Sequence, residues 1–565
     1  MKKVLRKVLA LLLAVAFVTT SACSLGGETS SAREGGGDPS SQNKGSSSDS
    51  EKGYVELDVW MSSTGWMQQG FSEWNQLDSV IGEPMAKETG IAFTNHYPGD
   101  DPEITFNLKL SSGEWEDVID FQGGMNKAWM QKLIEAGVVV PLDEYFEMPD
   151  KYPNLANISD EILDHIRWKD GHIYAFPTGW AENPDSEYAA LWCAAGWYVA
   201  TEYLEAVNMT KEDLGTLEGI EAFLKAVKNA DLKTAEGQKV LPMTCGADLD
   251  FINTTLTAFG MSTATNGWDF YNGELKNYRE LDNTKQALAW LNKLQVEGLL
   301  DPEYATQTND MLVEKMMSKR VAMVVGQAWG FWETVTAGVT PVTETYTYVA
   351  FPQVEGIDKL GIMSVTAPYG GWGWAVTKNC RDIEAVAKAA DWGNTPGQNR
   401  YFTREYGPVG ILWDWSDTRE KPYFKIIDEE LKVGMQNSDR EVMTSKGYQM
   451  LSQPNCWDVD PNFFNEDTMD ALQWIFGMHE FNFAQGYSEK PRDIDRVILD
   501  GEGAWAINGS TIRDIDLQYA AQMIAATSEA EFNKSWDEYQ ESLKTMGKFE
   551  SVKEEFITEY EKQIK

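Results

Sequence analysis

The sequence predicts an α/β protein of two lobes that ends in a helical extension. Strand-like and helix-like patterns alternate from residue 54 to about residue 400, which is typical of open, mostly parallel sheets. Beyond that point the pattern is mainly helical. The chain of 565 residues can bury more than one core, so we expect at least two lobes.

The first strand is predicted over Val55–Met61, where polar and apolar side chains alternate with a period of two. A second strand, Asp117–Phe121, leads into a helix that stops at Gly137. A short third strand, His172–Phe176, is expected to end at Pro177, because proline cannot donate a backbone hydrogen bond.

The same periodicities predict the later elements. The expected helices cover residues 217–229, 284–297, 383–392, 528–546 and 549–563. The expected strands are Val321–Val325 and Gly373–Thr377.

The N-terminus is typical of a secreted protein. A basic cluster within residues 2–7 precedes the apolar run Val8–Val18, which is about half as long as a helix that crosses a bilayer. Small residues then lead to Cys23, an arrangement that resembles the lipobox of bacterial lipoproteins, in which this cysteine is acylated. We therefore predict a signal peptide over 1–22. An ordinary signal peptide with an incidental cysteine remains open, because Thr20 stands where the lipobox usually has a Leu-like residue.

Residues 23–53 are predicted to be a lipid-anchored, disordered tether. They consist almost entirely of serine, glycine and small or charged polar residues, and such a composition cannot nucleate a packed core. A folded domain on a tether beside a membrane is suited to capturing something outside the cell.

The charge balance excludes some partners. The formal net charge is −40, and the signal peptide removes four basic groups and no acidic ones. Nucleic acid is therefore not an expected partner, since binding it depends on cations that neutralise phosphates. The acidic residues are interpreted as a solvated surface that keeps the exported protein soluble.

No cofactor or metal is predicted. The sequence contains no HExxH, GxSxG or P-loop motif, and the four histidines share no pattern. The cysteines after Cys23 are widely spaced and are interpreted as buried thiols, with disulfides left open; they are Cys193, Cys245, Cys380 and Cys456.

Six segments carry a family resemblance, in the family's own order: Gly113–Ile119, Glu135–Asp143, Asp170–Pro177, Ser318–Trp329, Gly370–Lys378 and Ser535–Gly547. Together they resemble the extracellular solute-binding lipoproteins of ABC importers, in the branch that includes the maltose-binding protein. The last segment is similar to the larger subgroup associated with oligosaccharide uptake. The resemblance implies a periplasmic-binding-protein-like fold with a hinge and an interlobe cleft. It also implies a carbohydrate ligand, an ABC permease as partner, and binding without catalysis by a monomer.

The resemblance further implies that each lobe is built from two pieces of chain. Lobe one is expected at 54–175 with 346–395, and lobe two at 176–345 with 396–565. Related proteins often carry a calcium loop where this chain has residues 231–238. Lys233 and Ala235 replace oxygen donors there, so we predict no calcium.

Aromatic residues at strand ends suggest a sugar site. A flat indole covers the C–H face of a pyranose, while polar side chains bind its hydroxyl groups. For a single tryptophan, core packing is the better interpretation, and Trp268, Trp290 and Trp536 are assigned to it. Trp180 and Trp329 are the strongest ligand candidates. The predicted ligand-binding residues are Ser62, Trp66, Gln122, Trp180, Glu182, Asn183, Gln327, Trp329 and Trp372.

Two other classes of function remain open. An exported glycoside hydrolase would share the tryptophans and needs only two suitably spaced carboxylates among the 88 acidic residues. A binder of peptides or another small solute, or a surface sensor, would have the same fold and a similar polar, aromatic cleft.

Overall fold

The computed structural model describes residues 52–64, 68, 70–99, 101–121, 127–180, 195–246, 251–327, 345–365, 369–416, 423–436, 439–451, 486, 488–489 and 492–564. The predicted signal peptide, Cys23 and nearly all of the predicted tether lie outside these residues. Within them, no helix is long and apolar enough to cross a membrane.

The first lobe is built on a six-stranded sheet. Its spatial order is β2 (Glu73–Asn75), β3 (Ile91–His96), β1 (Val55–Met61), β4 (Val118–Asp120), β13 (Tyr369–Val376) and β5 (Ala175–Trp180). The alternation in β1 places its side chains in two different cores. Leu57 and Val59 enter a core on one face, whereas Trp60 packs with Phe106 and Trp115 on the other. The sheet is therefore covered on both faces.

The second lobe is built on a four-stranded sheet. Its spatial order is β11 (Tyr346–Val349), β6 (Ala195–Ala200), β10 (Val321–Gln327) and β7 (Leu241–Cys245). All residues of β6 are buried, as expected for a strand that is covered on both faces.

Both sheets are mixed, which corrects the expectation of mostly parallel sheets. β1 pairs in parallel with β3 and β4, and β10 pairs in parallel with β7. β13, however, runs antiparallel to β4 and β5, and β6 runs antiparallel to β10 and β11. The chain enters the second lobe at β6 and returns to the first lobe at β13, and both of these strands run antiparallel to their neighbours.

The third predicted strand is displaced. The structure has it at Ala175–Trp180, and Pro177 pairs with Gly373 inside the strand rather than ending it. Since β5 is the last strand of its sheet, one side of its backbone needs no partner. The proline is therefore tolerated at this edge.

Most of the predicted helices are confirmed, and α6 and α16 have the predicted bounds. The helices of the first three hundred residues are α1 (Gly82–Thr89), α2 (Pro102–Ser112), α3 (Lys127–Glu135), α4 (Asp160–Ile166), α5 (Thr201–Ala206), α6 (Leu217–Asn229), α7 (Phe251–Ala258) and α8 (Asp282–Val296). The later helices are α9 (Asn309–Met317), α10 (Ile383–Gly393), α11 (Gln398–Tyr406), α12 (Glu429–Gln436), α13 (Arg440–Lys446), α14 (Ala504–Ile524), α15 (Glu529–Thr545) and α16 (Phe549–Gln563).

Three small sheets complete the described strands: β8 (Trp268–Tyr271) with β9 (Glu274–Asn277), β12 (Ser364–Val365) with β16 (Ser488–Glu489), and β14 (Trp413–Ser416) with β15 (Tyr423–Ile426). The antiparallel pair β14 and β15 corrects the expectation that the chain is mainly helical beyond residue 400. Aromatic side chains hold it in the first lobe, where Trp415 lies opposite Phe424 and packs on Phe402.

The two cores divide the chain between the lobes. The second core includes side chains from β6 to Phe351 and from Ile494 to Phe556, so α14 to α16 belong to the second lobe. Trp268 stacks between Phe549 and Phe556, and it is almost fully buried. Described side chains between Phe402 and Leu451 pack on the first core instead. This packing favours a first lobe that also includes 402–451, and the predicted lobe boundaries remain predictions.

A side-chain cap at the start of α10 can be tested by mutation. The Asp382 carboxylate accepts a hydrogen bond from the backbone N–H of Ala385 at 2.9 Å. We expect Asp382→Ala to lower the free energy of unfolding by about 1 kcal/mol, measured by urea denaturation. Ser159→Ala is the matched control, because Ser159 precedes α4 without a side-chain capping bond. Equal losses in both variants would contradict the capping assignment.

Candidate functional site

The ends of several strands meet at one edge of the first sheet. The parallel strands β1, β3 and β4 end there at Met61, His96 and Asp120. β13 runs the opposite way and begins at this edge, where Tyr369 pairs with Trp180 at the end of β5. Loops from distant parts of the chain are thus brought together, in the position where open α/β sheets bind ligands.

The second sheet has a corresponding edge. β10 ends at Gln327, which pairs with Ala195 at the start of β6. The end of β7 lies beside them, since Gly246 donates a backbone hydrogen bond to Val325. Gly326 has a φ of +145°, and a Cβ there would approach the Gly246 nitrogen to 3.1 Å. Glycine allows the two strand ends to come this close.

The chain passes between the lobes at these two edges. From Trp180 at the edge of the first sheet it continues through residues 181–194 to Ala195 at the edge of the second. From Val349 it returns to Tyr369 at the edge of the first sheet. Both connections therefore join the same pair of edges, as in a two-lobed protein with its site between the lobes.

Four predicted ligand-binding residues are among those that the structure describes, and all four lie at these edges. Ser62 follows β1 and donates its backbone N–H to Asp120 at 2.8 Å. Gln327 ends β10 and is partly buried. Trp372 pairs through its backbone with Thr178 in β5, and its side chain is outside the described residues.

Trp180 occupies a core position in this conformation. Its indole is 3% exposed, packs in the first core, and donates its N–H to Asn394 Oδ1 at 2.6 Å. This environment favours a role in packing, and a contact of Trp180 with ligand remains a prediction. The other predicted ligand-binding residues lie outside the described residues; they are Trp66, Gln122, Glu182, Asn183 and Trp329.

Sequence reasoning missed several polar side chains at the edge of the first sheet. Asn95, Tyr97 and Asp120 are all buried there, near the ends of β3 and β4. Burial raises the pKa of the Tyr97 hydroxyl, with a smaller opposing effect from Asn95 and a further increase from the Asp120 carboxylate. The hydroxyl is therefore neutral at physiological pH. In the sequence, they are marked only by their position at or just after the end of an apolar strand pattern.

A buried polar network supports the edge of the second sheet. Lys315 Nζ lies 2.7 Å from Asp301 Oδ2 and 2.6 Å from Gln307 Oε1. Gln307 in turn donates to the backbone carbonyl of Cys245, the last residue of β7, and Thr244 donates to Asp301. The network ties the end of β7 to α9, so it fixes a strand end that leads into the candidate site.

The described residues contain no group of three or more histidine, cysteine, aspartate or glutamate side chains that could hold a metal ion. In the loop compared above with a calcium site, Asp231 lies 3.8 Å from Lys239, and Lys233 pairs with Lys239 through the backbone. Cys245 is a buried thiol, and burial raises the pKa of the Cys380 thiol to about 11.

The described part of the site offers hydroxyl, amide, carboxylate and backbone groups, which suit a polar ligand rich in hydroxyls.

Solved structures with this fold cover nearly the whole molecule. The ABC-transporter substrate-binding protein FusA of S. pneumoniae, solved in complex with kestose, has a TM-score of 0.66 and 18% identity, over 90% of this chain and 99% of its own. An HMO-binding solute-binding protein of Bifidobacterium longum infantis has a TM-score of 0.64 and 16% identity, over the same shares. The N-glycan transport protein NgtS of S. pneumoniae, in complex with Man1GlcNAc, has a TM-score of 0.52 and 15% identity, again over 90% and 99%.

At these identities the similarity establishes the two-lobed fold. No curated protein sequence matches the chain. A family model described as "Bacterial extracellular solute-binding protein" matches residues 81–409, more than half of the chain. The chain therefore belongs to the family of bacterial extracellular solute-binding proteins.

Proposed function

We propose that this protein captures an oligosaccharide between its two lobes outside the cell and delivers it to an ABC permease. One observation carries the proposal. In each sheet several strand ends gather at one edge, and the connections between the lobes join these two edges. Proteins of the same fold bind kestose and Man1GlcNAc, which supports a saccharide as the ligand. The hydroxyl and amide groups at these edges suit such a ligand.

The mechanism requires closure and no covalent step. A saccharide held between the lobes touches both only when they close, so it shifts the equilibrium toward the closed form. A permease that recognises the closed form then distinguishes loaded from empty protein. The nine predicted ligand-binding residues, including Trp66 and Trp329, are part of this proposal.

Binding can be tested with the purified protein. We expect tryptophan fluorescence to change in a saturable way with at least one member of a neutral oligosaccharide panel, and the recovered saccharide to have an unchanged mass. Trp329→Ala should weaken binding about tenfold or more, because stacking against an indole face is lost.

The matched control is Trp505→Phe on α14, which removes a tryptophan from the C-terminal helices and should leave the affinity unchanged. A wild-type protein that gives flat titrations across the panel, with no saccharide detected by mass spectrometry after purification, would overturn the proposed ligand class. Shortened products would indicate a hydrolase instead.

We further propose that acylation of Cys23 anchors the protein on the outer face of the cell membrane. Cys23→Ala should abolish palmitate labelling and move the protein from the membrane fraction to the medium, because a tether without lipid has no affinity for the bilayer. Ser24→Ala is the control, and it should stay in the membrane fraction. Equal release of the wild type and Cys23→Ala would contradict the anchor.

A further inference from the structure

Residues 440–451 contact the ligand-side edge of the first sheet, although they lie beyond the family-matched residues 81–409. The segment packs on the loop before α1, where Val80 donates its backbone N–H to Ser445 at 3.1 Å. A Cβ at Gly447 would come within 2.7 Å of Ile81, so the two chains are in close contact there.

Two buried amides join this segment to the strand ends. Gln68, in the loop after β1, donates its Nε2 to the Gln449 carbonyl at 3.2 Å and lies 3.7 Å from the Met450 sulfur. Asn95, near the end of β3, donates its Nδ2 to the Met450 carbonyl at 3.2 Å. Both amide side chains are at most 4% exposed.

The backbone of the segment is adapted to these bonds. Gln449 has a φ of +54°, a conformation that costs a non-glycine residue about 1 kcal/mol or more. This conformation directs its N–H to the Glu405 carbonyl while its own carbonyl accepts from Gln68. The surrounding contacts therefore maintain an unfavourable conformation at the edge of the candidate site.

We infer that Gln68 is a positioning residue for ligand binding. It lies in the connection between β1 and β2, which begins at Ser62, a predicted ligand-binding residue. Its bonds to Gln449 and Met450 hold the chain at residue 68 against residues 440–451 before a ligand arrives. A loop that is already held in place loses less entropy on binding, so the affinity is higher. The inference rests on the proposed binding function. We call the contacts of Gln68 with Gln449 and Met450 the clamp.

Gln68→Met removes the hydrogen bonds and nearly preserves the volume. We expect about tenfold weaker saccharide binding and faster hydrogen exchange of residues 62–72 in the ligand-free protein. Gln76→Met is the matched control. Gln76 is also fully buried in the first lobe and donates to the Gly82 carbonyl at 3.0 Å, but it ties β3 to the loop before α1. It should lower stability while leaving the affinity and the exchange of residues 62–72 unchanged.

Gln68→Glu gives a second test with a distinct signature. Near pH 8 its carboxylate would face the Gln449 carbonyl without a proton to donate, and binding should be weak. Toward about pH 5 the buried carboxyl becomes protonated, donates to that carbonyl, and should restore most of the affinity. Burial also raises the pKa of the Glu405 carboxyl, which is hydrogen-bonded to the Gln449 side chain, so the wild type is measured at both pH values. Recovery in Gln68→Glu that does not exceed the wild-type change would contradict the clamp.

The outcomes separate the clamp from the proposed function. Equal losses of affinity in the Gln68→Met and Gln76→Met variants, or unchanged exchange in residues 62–72, would overturn the clamp. A wild-type protein that binds no saccharide would overturn the proposed function, while the exchange comparison would still decide whether Gln68 holds the loop.

Discussion

Replacing Lys315 with Met should lower the free energy of unfolding by about 3–5 kcal/mol. The Lys315 and Asp301 side chains are 2% and 1% exposed, and they lie 2.7 Å apart. Removing the ammonium group leaves the Asp301 carboxylate buried without its charge partner, while the neutral Thr244 hydroxyl and the Glu303 backbone N–H still donate to it. Guanidinium denaturation followed by circular dichroism measures the loss.

Lys239→Met is the control for this prediction. Lys239 also pairs with an aspartate, but both side chains are well exposed and the distance is 3.8 Å. Solvent screens such a pair, so the stability should hardly change. A similar stability of the Lys315 and Lys239 variants would contradict the buried network. Because Gln307 connects the network to β7, the Lys315 variant should also bind ligand more weakly.

Replacing Trp268 with Ala should cost about 3–5 kcal/mol and loosen the C-terminal helix α16. The indole is 1% exposed and stacks on Phe556 at 4.6 Å with nearly parallel rings. Its removal leaves a cavity between β8 and α16. We expect a lower thermal midpoint, together with faster hydrogen exchange across residues 549–563 than elsewhere in the second lobe.

Phe270→Ala is the control, because Phe270 also contacts α16 through Tyr560 but is 46% exposed. Its loss should cost less than about 1 kcal/mol. Uniform exchange throughout the Trp268→Ala protein, with no preference for α16, would contradict the role of this stack in holding the helix.

Elements with a strong local pattern could be predicted from the sequence. β1 and α6 were predicted with their observed bounds because the period of their apolar residues is clear over the whole element. Trp268, Trp290 and Trp536 are buried, as predicted. The antiparallel direction of β13 and the strand pair β14 and β15 were not predicted, since strand direction and pairing depend on residues far apart in the chain.

The candidate site was predicted only in outline. The strand patterns themselves placed Ser62 and Gln327 at strand ends. The core position of Trp180 depends on Asn394, which is distant in sequence and carries no local signal. Gln68 was missed for the same reason, because its partners are residues 449 and 450. A polar side chain within a loop does not reveal which distant backbone groups it will bind.

The place of β13 between β4 and β5 has a consequence for biosynthesis. A ribosome releases the chain from the N-terminus, so β5 has no neighbour in its sheet until residues 369–376 have been made. The second core likewise lacks Phe549 and Phe556 until residues 549–556 have been made. The first sheet is therefore completed only after the four strands of the second sheet, within residues 195–349, have been made. Until then the largely buried strand β5 has no partner, which makes chaperone protection valuable.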